Sequence, residues 1–176
     1  MIATTDAPIW RNGAFEADEW VRFAPEAAPP GAGTPLLVPL AAFLADPDRF
    51  LGHDGPLGVE ISAGDAVEPL RQHLPRLALI ALAFPKFSDG RNYSAARLLR
   101  ERLGYAGELR ATGDVLADQI PLMRRCGILS YEVGHAPTRA ALAAGRLAEV
   151  RRFYQPIPNQ PEVPAGTRPW LRLPAN

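Results

Sequence analysis

The chain has 176 residues, 47% of them hydrophobic, and its 19 Lys and Arg balance its 19 Asp and Glu. That length suits one domain with its own core and is too short to argue for two, while a formal charge of zero offers no field to gather nucleic acid or an anionic membrane. No run reaches the roughly 18 apolar residues of a membrane span, and the N-terminal MIATTDAPIW lacks the basic-then-apolar order of a signal peptide, so a cytoplasmic protein with no membrane or nucleic-acid partner is expected.

Residues 1–24 are expected to hold a hairpin. Ile9, Trp10 and Arg11 are separated from Ala14, Phe15 and Glu16 by Asn12-Gly13, a dipeptide suited to the two positive-φ positions of a type I′ turn. Trp10, Phe15 and Trp20 are then available to pin the hairpin to the main domain. Residues 25–35 (PEAAPPGAGTP) bury almost nothing and read as a linker. The core, residues 36–154, opens with a short strand at Leu36, Leu37 and Val38. A helix over 41–50 follows, broken at Asp46-Pro47-Asp48 and restarting at Pro47 with Asp46 as N-cap. Residues 57–62 (LGVEIS) read as a second strand. Asp65 reads as the cap of a helix that carries Val67, Leu70 and Leu74 on one side, with Pro69 in its first turn.

The stretch 77–114 organises the rest. Residues 77–84 are apolar without alternation, as in a strand buried on both faces near the middle of a parallel sheet. Pro85 ends it, a polar loop follows, and apolar positions recur at helical spacing at Ala95, Leu98, Leu99 and Leu103. Gly104 reads as a C′ glycine with Tyr105 packing back on the last turn, and 108–111 as a further strand before the turn Thr112-Gly113-Asp114. Asp114 then reads as the N-cap of a helix with Leu116, Ile120 and Met123 as its buried stripe, kinked at Pro121 and ending in Arg124 and Arg125. A fifth strand over 128–133 and an Ala-rich helix over 137–148 complete the core. Residues 155–176, rich in proline, are expected to form a loose tail or to lie extended along the domain or a neighbouring subunit, with Trp170 as anchor.

The expected fold is therefore α/β: a mostly parallel central sheet of about five strands flanked by helices, with an N-terminal hairpin. It is either an open doubly wound sheet or a partial (β/α) barrel. A partial barrel would need its sheet edge covered by the hairpin, the tail or a second copy of the chain, so a homodimer is among the expectations.

In such a sheet, ligands collect at the carboxyl ends of the strands, where loop amides and helix N-termini converge. That rule places Ser62, Asp65, Lys86, Asp89, Arg91, Asn92, Tyr93, Ser94, Thr112, Asp114, Glu132 and His135 on one rim, and Arg100, Arg102, Arg124 and Arg125 on the other. The densest part of the first rim defines the ligand-binding candidates: Lys86, Asp89, Gly90, Arg91, Tyr93, Ser94, Thr112, Gly113 and Asp114. Lys86 and Arg91 bracket a glycine ahead of a helix, a disposition suited to an oxyanion or phosphate. The same residues also serve as a turn, a helix cap and solvated cations. No residue is singled out as catalytic. His53, His73 and His135 have no metal spacing, so no metal is expected. Cys126 is the only cysteine, which excludes a disulfide within the chain, a CxxC pair and a cluster held by four of its own thiolates. GxGxxG, GxxxxGK[ST] and GxSxG are absent, and no cofactor is predicted.

Several ordered motifs together resemble a known family. They are Phe84-Pro85-Lys86-Phe87-Ser88-Asp89-Gly90-Arg91, Tyr93-Ser94-Ala95-Ala96-Arg97-Leu98-Leu99-Arg100, Leu109-Arg110-Ala111-Thr112-Gly113-Asp114-Val115-Leu116, Asp118-Gln119 and Arg124-Arg125-Cys126-Gly127. The run resembles the bacterial family DUF934 over roughly residues 10–155, with Pro121 and the tail after Gln155 as departures. Members of that family carry labels such as oxidoreductase or accessory protein of sulfite reduction, because they tend to be encoded beside sulfite or nitrite reductase and the sulfate-assimilation reductases. The resemblance implies an accessory protein of assimilatory sulfite reduction that docks on sulfite reductase or another enzyme of that route and holds no redox centre of its own. The alternative is a small enzyme or carrier for an oxyanion or nucleotide at the carboxyl-end rim. In that reading Lys86 and Arg91 neutralise the anion, and Asp89 or Asp114 is the acid/base candidate.

Overall fold

Eight short extended segments join into one sheet in the computed structural model, which describes residues 7–26 and 30–147 and the backbone of 162–164 and 172–174. They are β1 (Ile9–Arg11), β2 (Ala14–Glu16), β3 (Val21–Arg22), β4 (Leu36–Pro39), β5 (Leu57–Ile61), β6 (Leu77–Phe84), β7 (Glu108–Gly113) and β8 (Ser130–Glu132), in the spatial order β2-β1-β8-β7-β6-β5-β4-β3. β3 to β8 run parallel in chain order. β1 lies antiparallel on β8 and β2 antiparallel on β1.

The sheet is thus larger than the expected five strands and partly antiparallel. The reason is the hairpin, whose turn forms with positive φ at Asn12 (52°) and Gly13 (85°). Three-residue arms are too short to be stable alone, and the open edge of β8 gives β1 backbone partners and is itself covered. β3 has only two residues, too few to carry a periodic signal.

Strands that follow one another in chain order send every crossover to the same face. Phe43, Phe50, Leu99, Ile120, Met123 and Leu142, from the successive helical segments, accordingly share one buried cluster with Ile80, Leu82 and Phe84 of β6. Leu37, Leu79 and Ala81 point the other way and form a separate small cluster with Trp20. The sheet is therefore not doubly wound; it is a curled partial barrel with helices outside. The curl follows from one distance. β3 and β8 stand five places apart, about 24 Å in a flat sheet at roughly 4.8 Å per strand, yet Arg22 Nη2 lies 2.6 Å from Glu132 Oε2.

The helices differ from expectation where proline intervenes. α1 (Leu40–Ala45) and α2 (Pro47–Leu51) break and restart at Asp46, whose side chain accepts from Arg49 N at 3.3 Å. The helix expected after Asp65 is instead two 3-10 turns, Glu68–Leu70 and Leu74–Arg76, each with a proline in its first two positions. Two prolines six residues apart remove the donors that a continuous α-helix would need. Asp65 closes a turn through Ser62 N (2.9 Å). α3 (Arg91–Arg97) runs into a wider turn, Leu98–Arg102, and ends at Gly104 (φ 67°), where Tyr105 N bonds Leu99 O at 2.9 Å. α4 (Ile120–Arg125) has Pro121 at its start, so no kink forms, and the residues before it are not helical, with a turn at 117–119. α5 (Ala136–Ala143) ends the described core. In the tail, β9 (Glu162–Pro164) pairs antiparallel with β10 (Arg172–Pro174); what the tail and Trp170 pack against lies outside the described residues.

Candidate functional site

The loop that leaves β6 is tied to the loop that leaves β7. Gly113 takes φ 89°, a Cβ there would stand 2.4 Å from Phe84 O, and Asp114 N donates to that carbonyl at 2.7 Å. Asp114 caps this loop, not a helix: its Oδ2 accepts from Phe87 N at 3.0 Å. Gln119 Nε2 donates to Phe87 O at 2.6 Å, while its Oε1 accepts from Leu116 N at 3.2 Å. Both backbone groups of Phe87 are held by side chains from the next crossover, and the Phe87 side chain is 63% exposed. We expect Asp114→Ala to cost about 1 kcal/mol in a urea melt and Asp114→Asn a few tenths, since the amide keeps an oxygen for Phe87 N.

Beyond Phe87, Asp89 grips the Arg91 guanidinium at 3.0 Å (Nε) and 2.7 Å (Nη2), and this hydrogen bonding holds the Asp89 carboxyl at about 2. Its stabilising contribution is full above the unfolded carboxylate range near 3.8 and is lost as pH falls through about 2; the Arg91 partner is exposed to solvent, so the effect on stability is small. An NMR titration of Asp89 should accordingly place its midpoint well below 3.8 in the wild type, and Arg91→Ala should return it towards that value. The N-cap of α3 is Gly90, so neither Asn92 nor Ser94 caps it. Asn92 is buried and stitches two strand ends, giving Nδ2 to Ala83 O (2.7 Å) and Ile61 O (3.4 Å). Tyr93 meets Phe84 edge-on with centroids 5.2 Å apart, and burial pushes its hydroxyl up to about 12. Lys86 and Ser94 are exposed.

Thr112 faces a different space. Alternate residues of β7, Glu108, Arg110 and Thr112, line the concave face of the sheet, while Leu109 and Ala111 join the helix-side core. Arg110, 3% exposed, donates to Asp18 Oδ1 at 2.7 Å and to Glu108 Oε1 at 2.9 Å. Glu108 also accepts from Arg11 Nη1 (2.7 Å) and Ser130 Oγ (2.6 Å). Nearer the carboxyl ends, Arg22 bridges two carboxylates, Glu132 at 2.6 Å and Glu60 at 3.6 Å, and Thr112 Oγ1 reaches Glu60 Oε1 at 3.5 Å. Burial opposes the Arg22 charge, but the hydrogen bond and charge of Glu132, together with the charges of Glu60 and Asp18, outweigh it and its pKa is raised. Small barrels are ordinarily filled by branched apolar side chains; this one carries ions across its middle.

Residues 58–164 match the family described as bacterial protein of unknown function, DUF934. The chain belongs to the DUF934 family. No curated protein and no solved structure matches it. The matched DUF934 segment contains the Phe87 loop and Glu60, Glu108, Arg110, Thr112 and Glu132; Asp18 and Arg22 come from the N-terminal segment before it.

The rim candidates of this DUF934 protein divide in two. Asp89, Arg91 and Asp114 belong to the outer loops, and Gly113 supplies the backbone turn that joins them. Thr112 belongs to the concave face, beside Glu60, Arg22 and Glu132. Of that inner set, Asp18, Arg22, Glu60, Glu108 and Arg110 were not among the sequence candidates. The signal that could have found part of it is the period-two alternation Glu108-Leu109-Arg110-Ala111-Thr112. On the opposite rim, Arg100 is structural, giving its guanidinium to Tyr105 O (2.6 Å), Gly107 O (2.7 Å) and Gly127 O (3.0 Å). Cys126 is buried, and burial pushes its thiol up, away from thiolate chemistry. Among the described residues no three His, Cys, Asp or Glu side chains gather as a metal site would require.

Proposed function

We propose that this DUF934 protein is an accessory partner in assimilatory sulfite reduction, docking on the reductase through the loop that carries Phe87. The observation that carries this reading is the combination at Phe87: a side chain 63% exposed on a backbone whose N–H and C=O are both fixed, at 3.0 Å and 2.6 Å. A large apolar side chain carried on a fixed backbone loses less order on association than one on a free loop, which suits a binding hot spot. Lys86, the Asp89–Arg91 pair and Asp114 surround it with charge, as a polar rim surrounds an interface anchor. The choice of reductase rests on the family resemblance, whose first motif is this same loop. A buried Cys126 with a raised thiol pKa fits a chain whose partner carries the electrons.

Co-purification tests the reading. The tagged chain should bring sulfite reductase with it from cells expressing both, and a deletion strain should grow poorly on sulfate. No complex at micromolar concentrations, together with normal growth of the deletion strain, would remove the proposal.

A second reading, a small enzyme or carrier for an oxyanion, is favoured by Lys86 and Arg91, which stand after the carboxyl end of β6 and at the start of α3, where ligands are usually met. Calorimetric titration with sulfite, sulfate and adenylyl sulfate separates the two. Heat that disappears in the double variant Lys86→Ala, Arg91→Ala would support the outer rim as an anion site; no heat with the wild type would leave docking as the reading.

A further inference from the structure

The turn that presents Phe87 also fixes a charged group further along the same loop. Asp89 N donates to Lys86 O at 3.0 Å and closes the turn, and Asp89 Oδ1 accepts from the Arg91 backbone N–H at 3.3 Å. The two oxygens of Asp89 then take one edge of the Arg91 guanidinium, Oδ1 from Nε at 3.0 Å and Oδ2 from Nη2 at 2.7 Å. The guanidinium also lies close against Gly64, in the loop that follows β5. A Cβ on Gly64 would stand 2.7 Å from Nη1 and 3.4 Å from Cζ. With φ at 99°, a conformation that favours glycine, the missing side chain leaves the space that the guanidinium needs.

This arrangement leaves the arginine half used. Its side chain is 63% exposed, against 17% for Asp89. A guanidinium carries its N–H donors in a planar fork with two usable edges. Asp89 occupies the edge of Nε and Nη2, and the edge of Nη1 and Nη2 has no partner among the described residues. An ion pair with so exposed a member adds little to stability, so the main consequence of the Asp89 contact is orientation. An arginine that is free in solvent gives up rotamer freedom when it binds; one already held at two atoms has less to give up.

We propose that Arg91 determines the specificity of the docking surface: its Nη1–Nη2 edge receives an Asp or Glu carboxylate of the partner protein, and Asp89 is the positioning residue that aims it. This rests on the docking reading of Phe87 and gives the partner a chemistry, an apolar pocket for the ring bordered by a carboxylate. Two parallel N–H groups match the two oxygens of a carboxylate, and such forked pairs join geometric selection to charge. The acids of the neighbourhood do not compete for that edge, because Asp89 is engaged on the other one and Asp114 holds Phe87 N. Lys86 is an exposed point charge without a fork, and adds attraction but no selection.

The test is calorimetric titration of purified sulfite reductase with the full chain and its variants. Arg91→Gln should weaken binding about tenfold or more, the effect of losing a charge-assisted forked pair. Arg91→Lys keeps the charge and loses the fork, and should stay about threefold or more weaker than the wild type. Asp89→Ala removes a negative charge, so simple attraction to a carboxylate would tighten binding; loss of aim should weaken it about threefold or more instead. On the Arg91→Gln background, Asp89→Ala should cost nothing further, because the group it aims is gone. Arg91 is exposed, so its two variants should melt as the wild type does, and they decide the matter should Asp89→Ala loosen the loop. The proposal is overturned if Arg91→Gln binds as the wild type does, if Arg91→Lys restores full affinity, or if Asp89→Ala tightens binding. Loss of binding in Phe87→Ser with Arg91→Gln unaffected would leave docking through Phe87 standing and remove the carboxylate contact, whereas a wild type that does not bind removes the docking reading and this contact with it.

Discussion

Replacing Gly113 by alanine should cost about 3 to 5 kcal/mol, a large part of the 5 to 15 kcal/mol by which domains of this size are stable. Two effects add. The residue sits at φ 89°, where a side chain costs about 1 to 3 kcal/mol, and its Cβ would fall 2.4 Å from Phe84 O, far inside contact distance. That carbonyl cannot yield, because it ends β6 at the middle of the sheet and accepts Asp114 N at 2.7 Å. The substitution must therefore separate the ends of β6 and β7 and free the loop that holds Phe87. Gly134→Ala is the control: no atom stands within 4 Å of the place its methyl group would take and its φ is not positive, so urea melts should show a change within about 0.5 kcal/mol.

The second large effect is expected at Arg110. Arg110→Met keeps the bulk of the side chain but strands Asp18 on the concave face, while Glu108 keeps Arg11 and Ser130, and breaking a buried ion pair by removing one partner costs about 3 to 5 kcal/mol. Most of that penalty is the unpaired charge rather than the lost attraction. Pairing Arg110→Met with Asp18→Leu should therefore recover about 1 to 3 kcal/mol relative to the single variant, a coupling readable from a double-mutant cycle. Additive losses would show that Asp18 and Arg110 do not depend on each other, contrary to the 2.7 Å contact.

These two positions mark the limits of what the sequence discloses. Gly113 lies in the stretch whose order of strand, loop, helix and strand is legible, because 77–84 is long, apolar and ended by proline, and because Gly104 closes the helix that follows. The hairpin is legible for a similar local reason, the Asn12-Gly13 turn. Arg110 is different. Its partner Asp18 is 92 residues away, and Arg22 finds Glu132 across 110 residues, distances over which no periodicity carries information. Curling of the sheet alone brings them together. Asp114 is misread as a helix cap for an intermediate reason: an Asp after a glycine suits a cap, but Pro121 moves the helix start to Ile120 and leaves the carboxylate to hold Phe87 N instead. Prolines 69 and 75 likewise reduce an expected helix to two short turns, although Val67, Leu70 and Leu74 are buried as their spacing indicates.

Docking through Phe87 is the central claim, and it is tested most directly by the affinity of purified sulfite reductase for the wild-type chain and for Phe87→Ser. Because the side chain is 63% exposed, the substitution should leave the melting temperature unchanged. Removal of a hot-spot aromatic costs about 2 kcal/mol or more, so the account predicts a Kd at least about 30-fold weaker. A wild-type chain that does not bind the reductase, or a Phe87→Ser variant that binds it equally well, would contradict it.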